Sequence, residues 1–407
     1  RVHLSHRNLS RGIVACSMCP DPNPSPPWGF PPWTIDFNPP SQPLPRTVDI
    51  AIVGAGFTGL AAAAWLRLHD PGKSVAVLEA GSIGEGASGR TGGMALAETA
   101  AGDLPGLGDV LRGLQDILAR LKVDCGLALP GAREIGRSGG RTDSSILWND
   151  SGTLRVVREV PGGTLDPGVP GGTLDPGKLV GGLARAADRL GAMIFEHRRV
   201  TSARWTAPVE LELARLDGQA APEHLSAEKV LFATNALSLT LSGLDSGTHP
   251  KLTLAALTAP VSPEVLRAIG LADGKPFYTV DFPYLWGRLR EDNSIVWGAG
   301  LADPAPSGRL EDVRIDAGEP ARMFASLERR IRGLHPALGD ASFTHRWGGP
   351  ILFRDNWQPV FGRHPASRDA LVIGAFAGHG VALSSYLGAW AAEIFLGRRE
   401  LPEWGRL

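Results

Sequence analysis

The sequence predicts an α/β chain in which a Rossmann-type dinucleotide-binding domain is interleaved with a β-sheet-rich second domain. Three observations carry this. An apolar strand runs into Gly54-Ala55-Gly56-Phe57-Thr58-Gly59, then an alanine-rich helix, then a second apolar strand ending at Glu79. Another strand–glycine–helix unit closes the chain at 371–396. Between them the pattern is mostly β, above all from 251 to 300. At 407 residues the chain exceeds one simple core, and 43% hydrophobic residues suffice to bury a large one. With 41 basic against 42 acidic residues the formal net charge is −1, so nothing steers the chain towards nucleic acid or an anionic membrane.

The elements follow in order. Residues 1–17 are basic without acidic residues, which weakly resembles a transit peptide, and Met18 is a candidate initiator. Cys16-x-x-Cys19 has half-zinc-site spacing, but no second pair completes four ligands, so it reads as a chance pair. Three cysteines (Cys16, Cys19, Cys125) make no disulfide framework, which fits a reducing, cytoplasmic setting. Residues 20–45 are proline-rich and expected to be extended. Asp49 to Val53 is a buried strand, Leu60 to Leu68 a helix stopped by Asp70-Pro71-Gly72, and Ser74 to Leu78 a strand. A helical pattern covers 107–122, and strand with loop covers Arg133 to Arg141. Val-Pro-Gly-Gly-Thr-Leu-Asp-Pro-Gly occurs at 160–168 and again at 169–177. Two copies of nine residues are too few and too short for a solenoid, so they read as a tandem duplication lengthening a loop. An amphipathic helix at Leu179 to Leu190 precedes strands near 193–196, 199–205, 209–216 and 230–233. A helix at 320–333 precedes the last unit. Leu371 to Ala392 lacks Asp, Glu, Lys and Arg, but its glycines and serines make it a strand, turn and buried helix rather than a membrane span.

Three segments carry chemistry. In Gly54-x-Gly56-x-x-Gly59, Gly54 permits the tight turn, Gly56 lets a pyrophosphate approach the backbone, and Gly59 lets helix and strand pack closely. The helix start offers free N–H groups to phosphates. Glu79 can accept from ribose hydroxyls, and an acid there argues against a 2′-phosphate. Gly84 to Gly93 is too glycine-rich for a helix or strand, and it places Ser88, Arg90 and Thr91 on a loop within reach of the same ligand. Gly374 to Ala382 runs from strand through glycines into a helix whose start points positive charge at a ligand. His379 is either a hydrogen-bonding neighbour of that ligand or a packed residue.

Asp49 to Leu60, Gly86-Ala-Ser-Gly-Arg-Thr-Gly-Gly93, Gly172 to Leu179, Phe232-Ala-Thr-Asn-Ala236 and Gly374 to Ala382 together resemble the D-amino-acid oxidase superfamily of FAD enzymes. The resemblance is to the branch with glycine, sarcosine and γ-glutamylputrescine oxidases, and it runs from about 47 to 397 in family order. It implies a ββα-like, three-layer FAD-binding domain at 47–100, 160–240 and 345–397. A substrate domain is expected at 101–159 and 241–344, behind an irregular leader at 1–46. The implied cofactor residues are Gly54, Gly56, Phe57, Thr58, Gly59, Glu79, Ala80, Ser88, Arg90, Thr91, Gly92, Gly93, Val200, Thr234, Asn235, Gly378, His379, Gly380 and Val381. Met94 stands where many members have Gln, and Asn356 where an Asp often precedes the proline. No cysteine lies near the C-terminal flavin segments, so FAD is expected to be non-covalent.

Substrate residues are read from the second domain. Tyr284, Trp286 and Arg288 alternate and so share a strand face, as an aromatic wall and a carboxylate anchor or as an ordinary amphipathic strand. Tyr278 lies nearby. Arg346 is a second candidate anchor and Lys275 a candidate oxygen-activating lysine. The activity implied is oxidation of a C–N bond of a small amine or amino acid by hydride transfer to flavin N5, giving an imine that hydrolyses. Oxygen or an electron-transfer partner would reoxidise the flavin. The alternatives are an oxygen-independent dehydrogenase of a hydroxy acid and a non-catalytic flavoprotein subunit.

Overall fold

The structure is a computed structural model that describes residues 27–160, 171–216 and 221–405. Residues 1–17, Met18, the Cys16/Cys19 pair and nearly all of the first repeat copy lie outside the described residues.

β1 (Thr47–Val53) pairs in parallel with β2 (Val75–Leu78) and with β11 (Glu223–Phe232). β8 (Met193–Phe195) continues the parallel set beyond β2, and β18 (Ser367–Gly374) beyond β11. β17 (Val360–His364) closes that edge antiparallel to β18. Strands buried on both faces read as continuous apolar runs, and β1 shows why. Ile50 and Ile52 face a helical layer, whereas Ala51 and Val53 face β9 (Arg198–Arg204) and β10 (Val209–Arg215), which pair antiparallel beside β11. The result is three layers: helices, parallel sheet and antiparallel meander.

The helical layer holds α1 (Phe57–His69), α2 (Val110–Leu121), α3 (Pro176–Arg189) and α7 (Gly380–Phe395). Ala61 to Ala64 are fully buried, and small residues let α1 and α7 approach closely. A Cβ on Gly388 would stand 2.3 Å from the Thr58 carbonyl oxygen. The charge-free run at 371–392 is thus β18, a turn and a core helix. Among the described residues no helix is long and apolar enough to cross a membrane.

The second copy of the repeat is built into the fold. Gly171–Thr173 forms β7, antiparallel to β3 (Met94–Leu96), and Asp175 caps α3 by accepting from the Lys178 N–H at 2.9 Å.

The second sheet runs β16 (Phe343–Arg354), β12 (Thr248–Thr258), β15 (Ile295–Ala302), β14 (Leu285–Leu289), β13 (Phe277–Thr279), β4 (Ala132–Gly136), β6 (Thr153–Val160), β5 (Trp148–Asn149). It is antiparallel except between β13 and β4. One face packs Trp148, Phe277 and Trp297 against α5 (Pro263–Ala268) and α6 (Gly318–Leu334) through Leu266, Leu327 and Ile331. The short α4 (Leu239–Ser242) follows the first-sheet crossover.

Two expected boundaries move. β16 pairs with β12 along its length, so residues 345–354 belong to the second sheet, not to the dinucleotide unit. α2 buries Val110, Leu111, Leu114, Ile117 and Leu121 in the core shared with α1 and α7, so it belongs to the helical layer although 101–159 was expected in the cap. The leader's described part carries almost no regular structure, yet Trp28 and Trp33 are buried. Their indole N–H groups donate to the carbonyls of Leu310 at 3.0 Å and Gly89 at 2.6 Å.

Candidate active site

A cavity of about 870 Å³ opens where the crossover loops of the first sheet face the second sheet. Ligands in open parallel sheets bind beyond the carboxyl ends of the strands, which is where this cavity lies.

Gly54 sits at φ +106°, and a Cβ there would stand 2.7 Å from the Ala233 carbonyl oxygen. A Cβ on Gly59 would be 2.0 Å from the Gly54 carbonyl oxygen, so Gly59 holds the helix on the turn and lies beneath the cavity rather than lining it. The start of α1 has no side-chain cap from Gly56, and the Phe57 N–H donates to Ser88 Oγ at 2.9 Å. Glu79 accepts from the N–H groups of Ala55 at 2.8 Å and Gly81 at 2.9 Å. Burial nevertheless raises its pKa, because two amide dipoles do not replace the water lost. Ala80 and Val200 line the cavity, and the Arg198 N–H donates to the Glu79 carbonyl at 2.8 Å, which brings β9 beside this end.

In the glycine-rich loop, Ser88, Arg90, Thr91 and Gly92 line the cavity. The Arg90 guanidinium is directed elsewhere. It donates to the carbonyls of Glu85, Trp28, Gly29 and Gly348, at 2.8, 3.2, 2.9 and 3.3 Å, and lies over the Trp28 ring. Arg90 therefore straps loop, leader and β16 together, and burial lowers its pKa. Gly93 is turned away, at φ +77° against the Leu174 carbonyl.

At the third segment Gly378, His379, Gly380 and Val381 line the cavity, and α7 starts without a side-chain cap. Burial lowers the His379 pKa, which favours the neutral imidazole, and its Nδ1 lies 3.3 Å from the Ala377 carbonyl oxygen. Thr234 and Asn235 line the cavity too. Asn235 Oδ1 accepts from the Ala375 N–H at 3.0 Å, tying the two crossovers together.

The chain fits a dinucleotide cofactor on its own geometry. Thr234 Oγ1 and Ser384 Oγ are buried, line the cavity and find no partner among the described residues, as expected of groups that bond a ligand. The glycine turns leave bare backbone where a Cβ would intrude.

The opposite wall is the second sheet. Tyr284 and Trp286 line the cavity. The Trp286 ring lies over bare backbone: a Cβ on Gly92 or Gly298 would stand 2.2 or 1.9 Å from it. Arg288 continues the same face but lies under the loop, where its Nε donates to the Gly92 carbonyl; it does not line the cavity. Burial brings its pKa down to about 10. The other two sequence candidates also fall outside the cavity. Arg346 pairs with Glu328 of α6, and Lys275 pairs with Glu159 at 2.8 Å. Both are surface-directed partners of acids far away in sequence.

Several lining residues carry no clear sequence signal: Ser384, Phe282, Leu301, Phe353 and Trp357. Trp357 holds φ at +61°, a conformation bulky residues rarely adopt. Tyr278 donates to Glu134 Oε1 at 2.8 Å, and burial foremost, then this acid, raises its pKa. Arg158 bonds the same Glu134 and keeps that carboxyl below its usual range.

Comparison with known proteins finds similar chains over most of this one's length. A probable oxidoreductase OrdL of Haemophilus influenzae is 26% identical over 404 residues, covering 90% of this chain and 86% of its own. The γ-glutamylputrescine oxidoreductase of Escherichia coli is 26% identical over 399 residues, covering 87% and 85%. The crystal structure of glycine oxidase from Geobacillus kaustophilus superposes with a TM-score of 0.64 at 19% identity, over 88% of this chain and 96% of that one. L-Proline dehydrogenase from P. horikoshii superposes with a TM-score of 0.65 at 17% identity, over 89% and 97%. Residues 49–394 match the family described as FAD dependent oxidoreductase, and the chain belongs to that family of FAD-dependent enzymes.

Proposed function

We propose that this enzyme oxidises a C–N bond of an amine or amino acid, giving an imine that water hydrolyses to a carbonyl compound. The observation that carries the reading is a single cavity joining the dinucleotide cradle to the aromatic wall of the second sheet. Two relatives bear names of the same kind, a γ-glutamylputrescine oxidoreductase and a glycine oxidase.

When bound, FAD supplies the two-electron acceptor for that bond. The chain's own groups do the rest. Gly54, Gly56 and the start of α1 would hold the pyrophosphate, Glu79 the ribose, and Ala80 and Val200 the adenine side. The hydroxyls of Thr234 and Ser384 would bond the remainder of the cofactor. The uncapped N–H groups at Gly380 and Val381 would face the negative charge of its reduced ring. Cys125 is buried in the helical core and does not line the cavity, which supports non-covalent attachment. Trp286 and Tyr284 would position the substrate against the ring. Oxygen or an electron-transfer partner would take the electrons onward, and we place the enzyme in the cytoplasm.

The test is to purify the protein and add amines and amino acids anaerobically, watching the flavin absorbance. Bleaching by a C–N substrate is expected. Because the nitrogen must arrive deprotonated, the rate should rise with pH through the substrate's own amine pKa. A hydroxy acid that bleaches the flavin where every amine and amino acid fails would overturn the reading.

A further inference from the structure

Resting on that reading of the site, we propose that the substrate is an amine without a carboxylate beside the reacting carbon, carrying a bulky aryl or alkyl group. The argument begins with the cations. Of the arginines around the cavity, Arg90 is spent on four backbone carbonyls, and Arg288 lies outside the lining against the Gly92 carbonyl. Arg346 pairs with Glu328, and Arg158 is taken up by Glu134 and Glu98 outside the lining. Arg198 and Arg199 line the far end, beside Glu79. Among the described residues, the second-sheet wall therefore offers a carboxylate no cation, and an unpaired carboxylate in such a place is costly.

What the wall does offer suits nitrogen. The Tyr278 hydroxyl donates its proton to Glu134 at 2.8 Å. Its oxygen is left as an acceptor, with a carboxylate behind it. An N–H group satisfies that oxygen, whereas a carboxylate meets its lone pairs; Arg158 behind it is shared between Glu134 and Glu98, so it offsets the charge of those two acids only in part, and it does not line the cavity. The mouth is aromatic. Phe282 is 70% exposed and Trp357 42% exposed, although both line the cavity. Phe282 lies 4.1 Å from Tyr284 between ring centroids, and Phe353 lies 5.3 Å from Trp357. Exposed aromatic faces favour apolar groups and ammonium ions, and carboxylates least.

The experiment uses the FAD-loaded enzyme and matched pairs differing by one carboxylate: benzylamine against phenylglycine, and 2-phenylethylamine against phenylalanine. Binding is read anaerobically from perturbation of the oxidised flavin spectrum, or from the concentration dependence of reduction where a ligand bleaches it. The amine of each pair is expected to bind at least about tenfold more tightly, and Tyr278→Phe to narrow that ratio to about threefold or less. Glu134→Gln, which keeps the shape and removes the charge, should narrow it in the same direction. The proposal is overturned if the amino acid binds as tightly as its amine, if neither perturbs the flavin at millimolar concentration, or if both variants leave the ratio unchanged. Tighter binding of the amine upholds this inference even where no amine or amino acid bleaches the flavin and a hydroxy acid does, the outcome that overturns C–N oxidation. An amino acid that binds more tightly and bleaches does the reverse.

Discussion

Gly298→Ala is expected to disturb the cavity wall through one side chain, Trp286. The two residues are directly opposed across β14 and β15, and the indole folds over the bare backbone of Gly298. A Cβ there would stand 1.9 Å from Trp286 Cζ2 and 2.0 Å from Cε2. Ordinary carbon contacts begin near ~3.5 Å, so the ring must retreat by roughly 1.5 Å. It cannot retreat onto the glycine-rich loop, because even a Cβ on Gly92 would be 2.2 Å from the same ring. The open direction is the cavity. Overpacking of this kind costs about 1–3 kcal/mol, and here it also narrows the substrate space. The assay is a double-mutant cycle: urea midpoints and substrate KM for wild type, Gly298→Ala, Trp286→Ala and the double variant. In the Trp286→Ala background the added methyl should be nearly neutral, giving a coupling of about 1–3 kcal/mol. Equal cost of Gly298→Ala in both backgrounds would refute the reasoning, because the strain would then lie elsewhere in the strand.

Two further outcomes are expected. Glu79→Ala leaves the Ala55 and Gly81 N–H groups without their acceptor, and FAD affinity should fall about tenfold or more. Glu79→Gln should fall less, measured by fluorescence of released FAD, and an unchanged affinity in Glu79→Ala would count against the cradle. Asp49 accepts from Lys73 Nζ and from Ser74, and these bonds hold its carboxyl down to about 2. A carboxyl with a depressed folded-state pKa adds stability above its ordinary value of 3.8 that disappears as pH falls through the window down to about 2. Solvent screening of the partly exposed Lys73 limits the gain to about 1 kcal/mol. The urea-midpoint difference between wild type and Asp49→Asn should therefore be present at pH 7 and shrink as pH falls from 4 towards 2; a difference independent of pH would contradict it.

Local chemistry by itself determined the strand–turn–helix unit from Asp49 to Glu79 and its glycines, because a tight turn and close backbone approach are demands on single residues. Strand alternation likewise put Tyr284, Trp286 and Arg288 on one face, since side chains repeat every two residues along any strand. Tertiary structure decided what those faces meet. The apolar stripe of α2 shows in the sequence that one side is buried, but not that α1 and α7 bury it. β16 reads as a strand wherever it stands, and only pairing with β12 assigns it to the second sheet. Arg346 and Lys275 have the chemistry of an anchor and an activator, yet Glu328 and Glu159 claim them. Trp28 and Trp33 look like part of a loose leader until the glycine-rich loop and the 3-10 turn at Leu310 accept their N–H groups. In each case the deciding contact is with a residue remote in the chain. Neither periodicity nor motif spacing encodes such a contact, because it exists only after the layers have packed.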